Sequence, residues 1–285
     1  LAATQEWAGY VKEGPGYVSH LPVAMDGTCN GLQHLSALGR DPEGGAWTNV
    51  VPSAAPMDVY QEVANRLRTR VERLAAKGDP IAKEFVEIIQ RDVVKRATMT
   101  TPYGITRKGI RKQLTAYLRE KHAGRFEDEK EAAKFLTKPL AKSIAQVVVK
   151  AAEISAWLRQ VAEALAEEKR GFSWKVPSGF RVPHEYLAEE KKRVETVTGS
   201  LLIRKPKARR EINHVKQSNA VVPNLIHSLD AAHMMLTVRE LHAKGLRDFA
   251  MVHDGYAVHA CDVDIMNAVL REQFVRVHTE FTLEK

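Results

Sequence analysis

Phe249-Ala250-Met251-Val252-His253-Asp254-Gly255-Tyr256-Ala257-Val258-His259-Ala260 is the stretch on which the reading of the fold turns. Phe249 to Val252 is an apolar run, His253-Asp254-Gly255 carries turn chemistry, and Tyr256 to Ala260 resumes a strand-like composition. Two such runs about a tight turn predict a β-hairpin. An acid at the tip of a hairpin is often only a turn residue. Here the strands bring it to a sheet edge and His253 precedes it, which favours a carboxylate with a task.

A second strand-end acid lies 228 residues upstream. Leu21 to Met25 is a short apolar run bounded by Pro22 and by Asp26-Gly27, and it reads as a buried strand. A carboxylate followed by glycine can approach a metal without steric hindrance, although Asp-Gly pairs usually mark turns. Between and around these strands the periodicity is helical. Asn30 to Leu38 is stopped by Gly39, and Met57 to Ala76 by Gly78. Pro80 to Met99 reads as one helix, and Pro139 to Glu168 as one long helix with proline near its start. Pro223 to Lys244 is helical and ends at Gly245, and Asp262 is placed to cap a final helix. Further hairpins are predicted from Ser173 to Tyr186, around Pro177-Ser178-Gly179, and from Val194 to Ile203, around Thr198-Gly199-Ser200. There is no internal repeat. Helices predominate and the strands are short and far apart, which predicts a mostly helical α+β fold with a small antiparallel sheet.

The chain has 285 residues, 44% apolar and 27% charged, the balance of a globular protein with a sizeable core. No apolar run approaches the roughly 20 residues needed to cross a bilayer. The opening residues lack the composition of a secretory leader. The start at Leu1 and the helical pattern running to Lys285 suggest a piece of a longer protein. Cys29 and Cys261 have no paired spacing, which argues against a disulfide framework or a zinc knuckle and suits a reducing compartment; each is expected to fill a small buried space.

Net charge is +8, and it is clustered. Lys191 to Arg210 holds eight basic residues against Glu195, and Arg91 to Lys112 holds seven against Asp92. Such clusters suit a polyphosphate backbone; the alternative is a solvated basic face. Within the second cluster Arg91, Lys95, Met99 and Tyr103 recur every four residues, roughly one helical stripe. Two cations and an aromatic on one face can grip a triphosphate and stack a base. Pro102 interrupts that helix just before Tyr103. His227, Asp230 and His233 suggest a metal cluster only superficially: their i, i+3, i+6 spacing turns the two histidines about 240° apart on a helix.

The order of these segments, an acid, a basic helix with tyrosine, and an acid hairpin, resembles the bacteriophage-type single-subunit DNA-dependent RNA polymerases, a family that includes mitochondrial RNA polymerase. Asp26-Gly27-Thr28-Cys29-Asn30-Gly31-Leu32-Gln33-His34 is similar to their motif A, Arg91 to Gly104 to motif B, and Val252-His253-Asp254-Gly255-Tyr256 to motif C. Pro223 to Asp230 also matches a family segment, and Gly39-Arg40-Asp41 and Arg271 to Arg276 look especially like the mitochondrial branch. Pro102 departs from the family pattern in motif B.

The resemblance implies the palm and fingers of a right-hand polymerase. Residues 1–76 would form palm with motif A, 77–172 mainly fingers with motif B, and 173–285 palm with a promoter-reading hairpin and motif C. The family's thumb, amino-terminal promoter-binding region and extreme carboxyl-terminal segment have no counterpart here. Two magnesium ions would be held by Asp26 and Asp254, with the Gly27 carbonyl as a further ligand. Lys95 and Arg91 would act on the triphosphate, with Met99 on the same stripe. Gly31, Tyr103 and His227 would govern ribose choice, and Arg193, Arg204, Lys205 and Lys207 would meet nucleic acid. The implied partners are DNA template and promoter, RNA product and ribonucleoside triphosphates, handled by a monomer without a membrane. The setting would be bacterial cytoplasm bearing phage or prophage, or the mitochondrial matrix. Two alternatives stand beside this reading. A family A DNA polymerase carries glutamate five residues after the motif A aspartate, where this chain has Gly31. A non-catalytic nucleic-acid-binding remnant would not need its acids intact.

Overall fold

A computed structural model describes residues 1–207 and 209–283. In chain order the elements are α1 (Ala2–Glu13), β1 (Val23–Asp26), α2 (Asn30–Leu38), α3 (Pro42–Trp47), α4 (Val59–Ala75), α5 (Pro80–Ile88), α6 (Arg91–Thr100), α7 (Arg107–Lys121), α8 (Glu129–Val147) and α9 (Val149–Glu167). There follow β2 (Phe172–Lys175), β3 (Arg181–His184), β4 (Glu189–Thr196), β5 (Gly199–Pro206), α10 (His214–Ala243), β6 (Ala250–Val252), β7 (Gly255–Val258) and α11 (Val263–Glu280). This is the expected mostly helical α+β arrangement with small antiparallel sheets.

The chain divides into two compact units. The first comprises Leu1–Asn30, Lys175–Phe180 and His227–Lys285. It holds a three-stranded sheet in the order β1-β7-β6, antiparallel throughout. The central strand β7 is buried at Tyr256, Ala257 and Val258, and Tyr256 and Val258 pack with Leu241, Leu246, Met266 and Val269. The outer strand β1 differs from the buried strand expected: Val23 is 41% exposed, and only Met25 turns towards the cluster. An edge strand presents one face to the core and the other to water.

The second unit comprises Gly31–Trp174 and Arg181–Ile226. Its core lies among α4, α5, α7 and α8, where Phe85 stacks with Phe135 at 6.1 Å and meets Phe126 at 4.7 Å. Leu67, Leu114, Leu118, Leu136 and Leu140 are fully buried around it. Capping follows local chemistry. Asp58 begins α4, accepting from the Tyr60 and Gln61 N–H groups; Asp79 begins α5 and Thr106 begins α7.

Several helix boundaries differ from the sequence reading. The helix expected from Pro80 to Met99 is broken at Ile89-Gln90, both extended. Two adjacent β-branched residues, Ile88 and Ile89, weaken the helix there. Arg68 then satisfies the freed carbonyls, donating to Val86 O at 3.0 Å and to Ile89 O. The helix expected from Pro139 to Glu168 is two, parted at Val148 within a run of three valines. Its start is Asp128, whose carboxylate caps α8, while Pro139 lies inside that helix. α10 likewise begins well before Pro223, at a turn where the Asn213 side chain accepts from Lys216 N–H. Asp262 precedes α11 but makes no side-chain cap, because residues 260–262 already wind as a 3₁₀ turn. Cys29 is buried as expected, whereas Cys261 is exposed.

Candidate active site

In the first unit the β6–β7 hairpin turns through His253 and Asp254, with Val252 facing Gly255 across the ladder. His253 adopts φ 53°, the left-handed conformation that so tight a turn demands. Along the other edge of β7, Asp26 faces Gly255. The two acids, remote in sequence, therefore end adjacent strands: Asp26 opposite the residue that follows Asp254. Asp26 is exposed and Asp254 half-buried, and neither carboxylate joins an ion pair among the described residues.

The surroundings of Asp254 register its charge. Asp230 on α10 is only 6% exposed, and its pKa is raised chiefly by burial. The Asn30 amide, donating from Nδ2 to Asp230 Oδ1 at 2.8 Å, opposes the rise, and the Asp254 charge adds to it. Tyr256 is also pushed well up, first by burial and then by Asp230 and Asp254. Negative charge thus accumulates at the strand ends. Hard divalent cations take oxygen ligands and keep several waters, so this donor set fits magnesium shared with a phosphate-bearing substrate. Among the described residues no group of three acids, histidines or cysteines could cage a metal without such help.

The sequence groups Asp230 with His227 and His233 and places it at the end of the family segment Pro223–Asp230; the structure gives the two histidines different surroundings. His227 is exposed on α10. Both ring nitrogens of His233 serve the core: Nε2–H donates to Leu270 O at 2.9 Å, and Nδ1 accepts from the Tyr256 hydroxyl at 3.0 Å. Burial lowers the His233 pKa, in keeping with that neutral tautomer. The signal for Asp230 is its place on an apolar stripe with Ile226, Leu229 and His233, at i, i+3, i+4 and i+7.

In the second unit α6 carries Arg91, Lys95 and Met99, and Tyr103 lies beyond its end. Pro102 cannot continue the helix; the chain turns through Thr101 to Gly104, with Gly104 at φ 78°. The stripe expected from Arg91 to Tyr103 therefore holds for three of its four residues. Lys95 and Met99 are exposed. Arg91 reaches Asp58 Oδ2 at 2.6 Å and lies 4.9 Å from the Tyr60 ring centroid. Burial alone would raise Asp58, but hydrogen bonds from Arg91, Gln61 N–H and Tyr60 N–H hold its pKa below the usual carboxylate value. The pair is over a third exposed on both sides and contributes about 0–1 kcal/mol.

Gly31 and Tyr103 are brought together. A Cβ at position 31 would lie 2.8 Å from Pro102 Cβ and 3.0 Å from Tyr103 Cζ, so even alanine would displace this turn. Glutamate, the family A DNA polymerase residue at this point, has no room beside Pro102 as it stands.

The β4–β5 ribbon pairs from Glu189–Pro206 to Thr196–Gly199, longer than expected and turning at Val197-Thr198. Opposed residues share a face. Lys191 faces Arg204 and Arg193 faces Leu202, which gathers three cations on one side, with Glu189 and Glu195 at the two ends of the same side. Lys205 is on the other side, bonded to Glu190 at 2.8 Å, and Lys207 is bonded to Glu211 at 2.6 Å. Of the four basic residues singled out from the sequence, Arg193 and Arg204 thus share a face without a carboxylate partner among the described residues, whereas Lys205 and Lys207 have one.

Comparison with known proteins gives a consistent result. The sequence family described as DNA-dependent RNA polymerase matches residues 1–285. The mitochondrial DNA-directed RNA polymerase of Homo sapiens is 40% identical over all of this chain and 23% of its own length. That of Mus musculus is 39% identical over all of this chain and 24% of its own length. DNA-directed RNA polymerase 2A of Nicotiana tabacum is 37% identical over 94% of this chain and 82% of its own. The chain spans about a quarter of the length of the mouse and human proteins.

Proposed function

The chain belongs to the DNA-dependent RNA polymerase family, and from that premise we propose that it carries the nucleotidyl-transfer site of a DNA-templated RNA synthesis enzyme. The observation that supports this most is the pairing of β1 with β7, which sets two acids 228 residues apart at the ends of neighbouring strands. Residues 1–76 and 173–285 act as palm and 77–172 mainly as fingers. The reaction joins an RNA 3′-hydroxyl to the α-phosphorus of a ribonucleoside triphosphate and expels pyrophosphate.

Asp26 and Asp254 hold two magnesium ions, with the Gly27 carbonyl as an added ligand. When bound, such ions activate the attacking oxygen and stabilise the leaving one. Charge builds on the phosphates as the bond changes, and fixed cations act there. Arg91 and Lys95 supply them, and Lys95 gives a proton to the departing pyrophosphate. To do so Arg91 exchanges Asp58 for phosphate, a trade of one modest partner for a stronger one. Met99 borders the base. His227 and Tyr103 offer polar partners for the ribose 2′-hydroxyl. The face of the β4–β5 ribbon that carries Lys191, Arg193 and Arg204 meets nucleic acid, template or promoter. The mitochondrial relatives favour a mitochondrial setting, with phage-bearing bacterial cytoplasm as the alternative, and a monomer suffices.

Asp26→Asn and Asp254→Asn test the reading in the intact polymerase that carries this sequence. Each removes a charge and keeps the shape, so primer extension should fall by about three orders of magnitude or more, ~4 kcal/mol of barrier, with the unfolding midpoint unmoved. A near-normal rate from either variant overturns the metal assignment. Ribose choice is tested by Tyr103→Phe, which deletes only a hydroxyl. The ratio of specificity constants for ribo- over deoxyribonucleotides should drop about ten-fold, ~1.4 kcal/mol. An unchanged ratio leaves His227 as the residue responsible.

A further inference from the structure

Asp230 has no part in the roles assigned so far, yet it occupies a costly position. A buried carboxylate must find hydrogen bonds or a counter-charge. Asp230 is 6% exposed and has no cationic partner within salt-bridge reach among the described residues; the bond it accepts is from Asn30 Nδ2, at 2.8 Å. Burial disfavours its charged form and the nearby Asp254 adds to that, while the Asn30 bond and the nearby His227 and His253 offset part of the rise. A buried acid held against such opposition is where a functional constraint is expected.

Its partner explains the constraint. Asn30 is the first residue of α2 and follows Asp26 by four positions. The connecting segment Gly27–Cys29 carries the change from strand to helix. At its start the ladder fixes it, Asp26 opposite Gly255. At its end the Asn30–Asp230 bond fixes it to α10. The segment is pinned at both ends, and Asp26 stands at the first pin. A carboxylate at a strand terminus has no further ladder to steady it, so the second pin decides how freely it swings. Asp230 is bonded to the Asn30 amide, and its influence on Asp26 runs through that bond.

We propose that Asp230 is a positioning residue, which through its hydrogen bond to Asn30 holds the Asp26–Asn30 segment in the geometry that the metal-binding carboxylate needs. This rests on the reading of Asp26 given above. Removing an outer partner of a metal ligand typically changes affinity or activity by about 10–100-fold, and an effect of that size is expected here.

The test uses the intact polymerase and reads kcat, KM for nucleotide, and the magnesium concentration giving half-maximal extension. Asp230→Ala and Asn30→Ala should each lower kcat at least about ten-fold and raise the magnesium requirement, with nucleotide KM little moved. The double variant should be no worse than either single one, because both remove one bond. Asp230→Asn retains an oxygen that can accept from Asn30, and it should recover most of the loss. If Asp230→Asn is as slow as Asp230→Ala, charge rather than the bond matters and the proposal is overturned. It is equally overturned if Asn30→Ala leaves rate and magnesium requirement unchanged, or if the two losses add. Should Asp230→Ala fail to fold, Asn30→Ala and Asp230→Asn carry the same decision. Asp26→Asn serves as control: an active Asp26→Asn sinks the metal reading itself, whereas an inactive one beside a normal Asn30→Ala sinks only the role of Asp230.

Discussion

β6 and β7 have three and four residues and β4 and β5 have eight each, yet the shorter hairpin is the one fixed in a core. β7 has a partner on both edges, and Tyr256 and Val258 are buried against α10 and α11. Every residue of β5 is exposed, and in β4 only Val194 is partly covered. A two-stranded ribbon without a packed face is marginally stable in water, so length gives β4–β5 register but little rigidity. The hairpin that carries Asp254 is held in place by its surroundings. The one that carries Arg193 and Arg204 is held by its own ladder and leaves both faces to partners. Chemistry that needs atoms fixed within fractions of an ångström suits the first, and recognition of an extended anionic surface suits the second.

The strongest way to break this contrast is to truncate one side chain in each hairpin. Tyr256→Ala removes a ring from the core and should cost about 3–5 kcal/mol of stability. Leu201→Ala, at a side chain 58% exposed, should stay within about 0.5 kcal/mol. Urea unfolding of both variants measures the difference. Equal costs would mean that the ribbon is packed in solution and that its exposure is not what separates the two.

The ribbon's faces sharpen the contrast further. If one side meets phosphate, Arg193→Gln with Arg204→Gln should reduce the slope of log affinity against log salt by up to about 1.8, roughly 0.9 for each phosphate no longer neutralised. Lys205→Gln, whose ammonium is already bonded to Glu190, should change that slope little. Binding titrations on a primed template at several salt concentrations decide the matter. An equal loss per charge removed in both variants would point to general charge rather than a face.

How much is legible in the residues alone differs between the two hairpins in the same way. The β6–β7 turn can be read because apolar runs and turn chemistry coincide at Val252 to Tyr256. The ribbon can be read too, but its faces cannot, since Lys191, Lys192 and Arg193 look alike until pairing sorts them. Asp26 and Asp254 stand out as strand-end acids, while their adjacency is a matter of strand order. The helix interruptions at Ile89 and Val148 escape the sequence because apolar periodicity runs on across them. The deciding features are long-range in one case, an arginine from α4, and sub-local in the other, a valine run. Asp230 escapes it as well, because a buried acid becomes conspicuous only when its helix is seen to face a core.

The smallest expected effect concerns acid, and it touches a buried histidine near each hairpin. His233 lies under β7, hydrogen-bonded to Tyr256, and His184 ends β3 just before the ribbon. Burial lowers both pKa values below the ordinary histidine value, and at both sites hydrogen bonds to a backbone carbonyl oppose the fall. His184 Nε2–H donates to Gln217 O at 2.8 Å, while Nδ1 lies 3.3 Å from the Asn224 amide nitrogen, an arrangement that suits the neutral ring. Because the folded pKa is depressed, the unfolded chain binds more protons as pH falls below about 6.5. Stability is therefore complete above about pH 6.5 and declines as pH falls towards the folded value, by at most ~1.4 kcal/mol per pH unit for each histidine. Urea midpoints at about pH 7.5 and 5.5 should reveal that decline beyond what carboxylates contribute. His233→Gln should remove its share at a cost in stability at neutral pH, and His184→Gln should do likewise. Amide exchange separates the two sites, since acid should loosen Gly255–Val258 through His233 and Arg181–His184 through His184. A pH slope identical in wild type and both variants would mean that neither ring titrates with unfolding, and that acid sensitivity does not distinguish the packed hairpin from the exposed one.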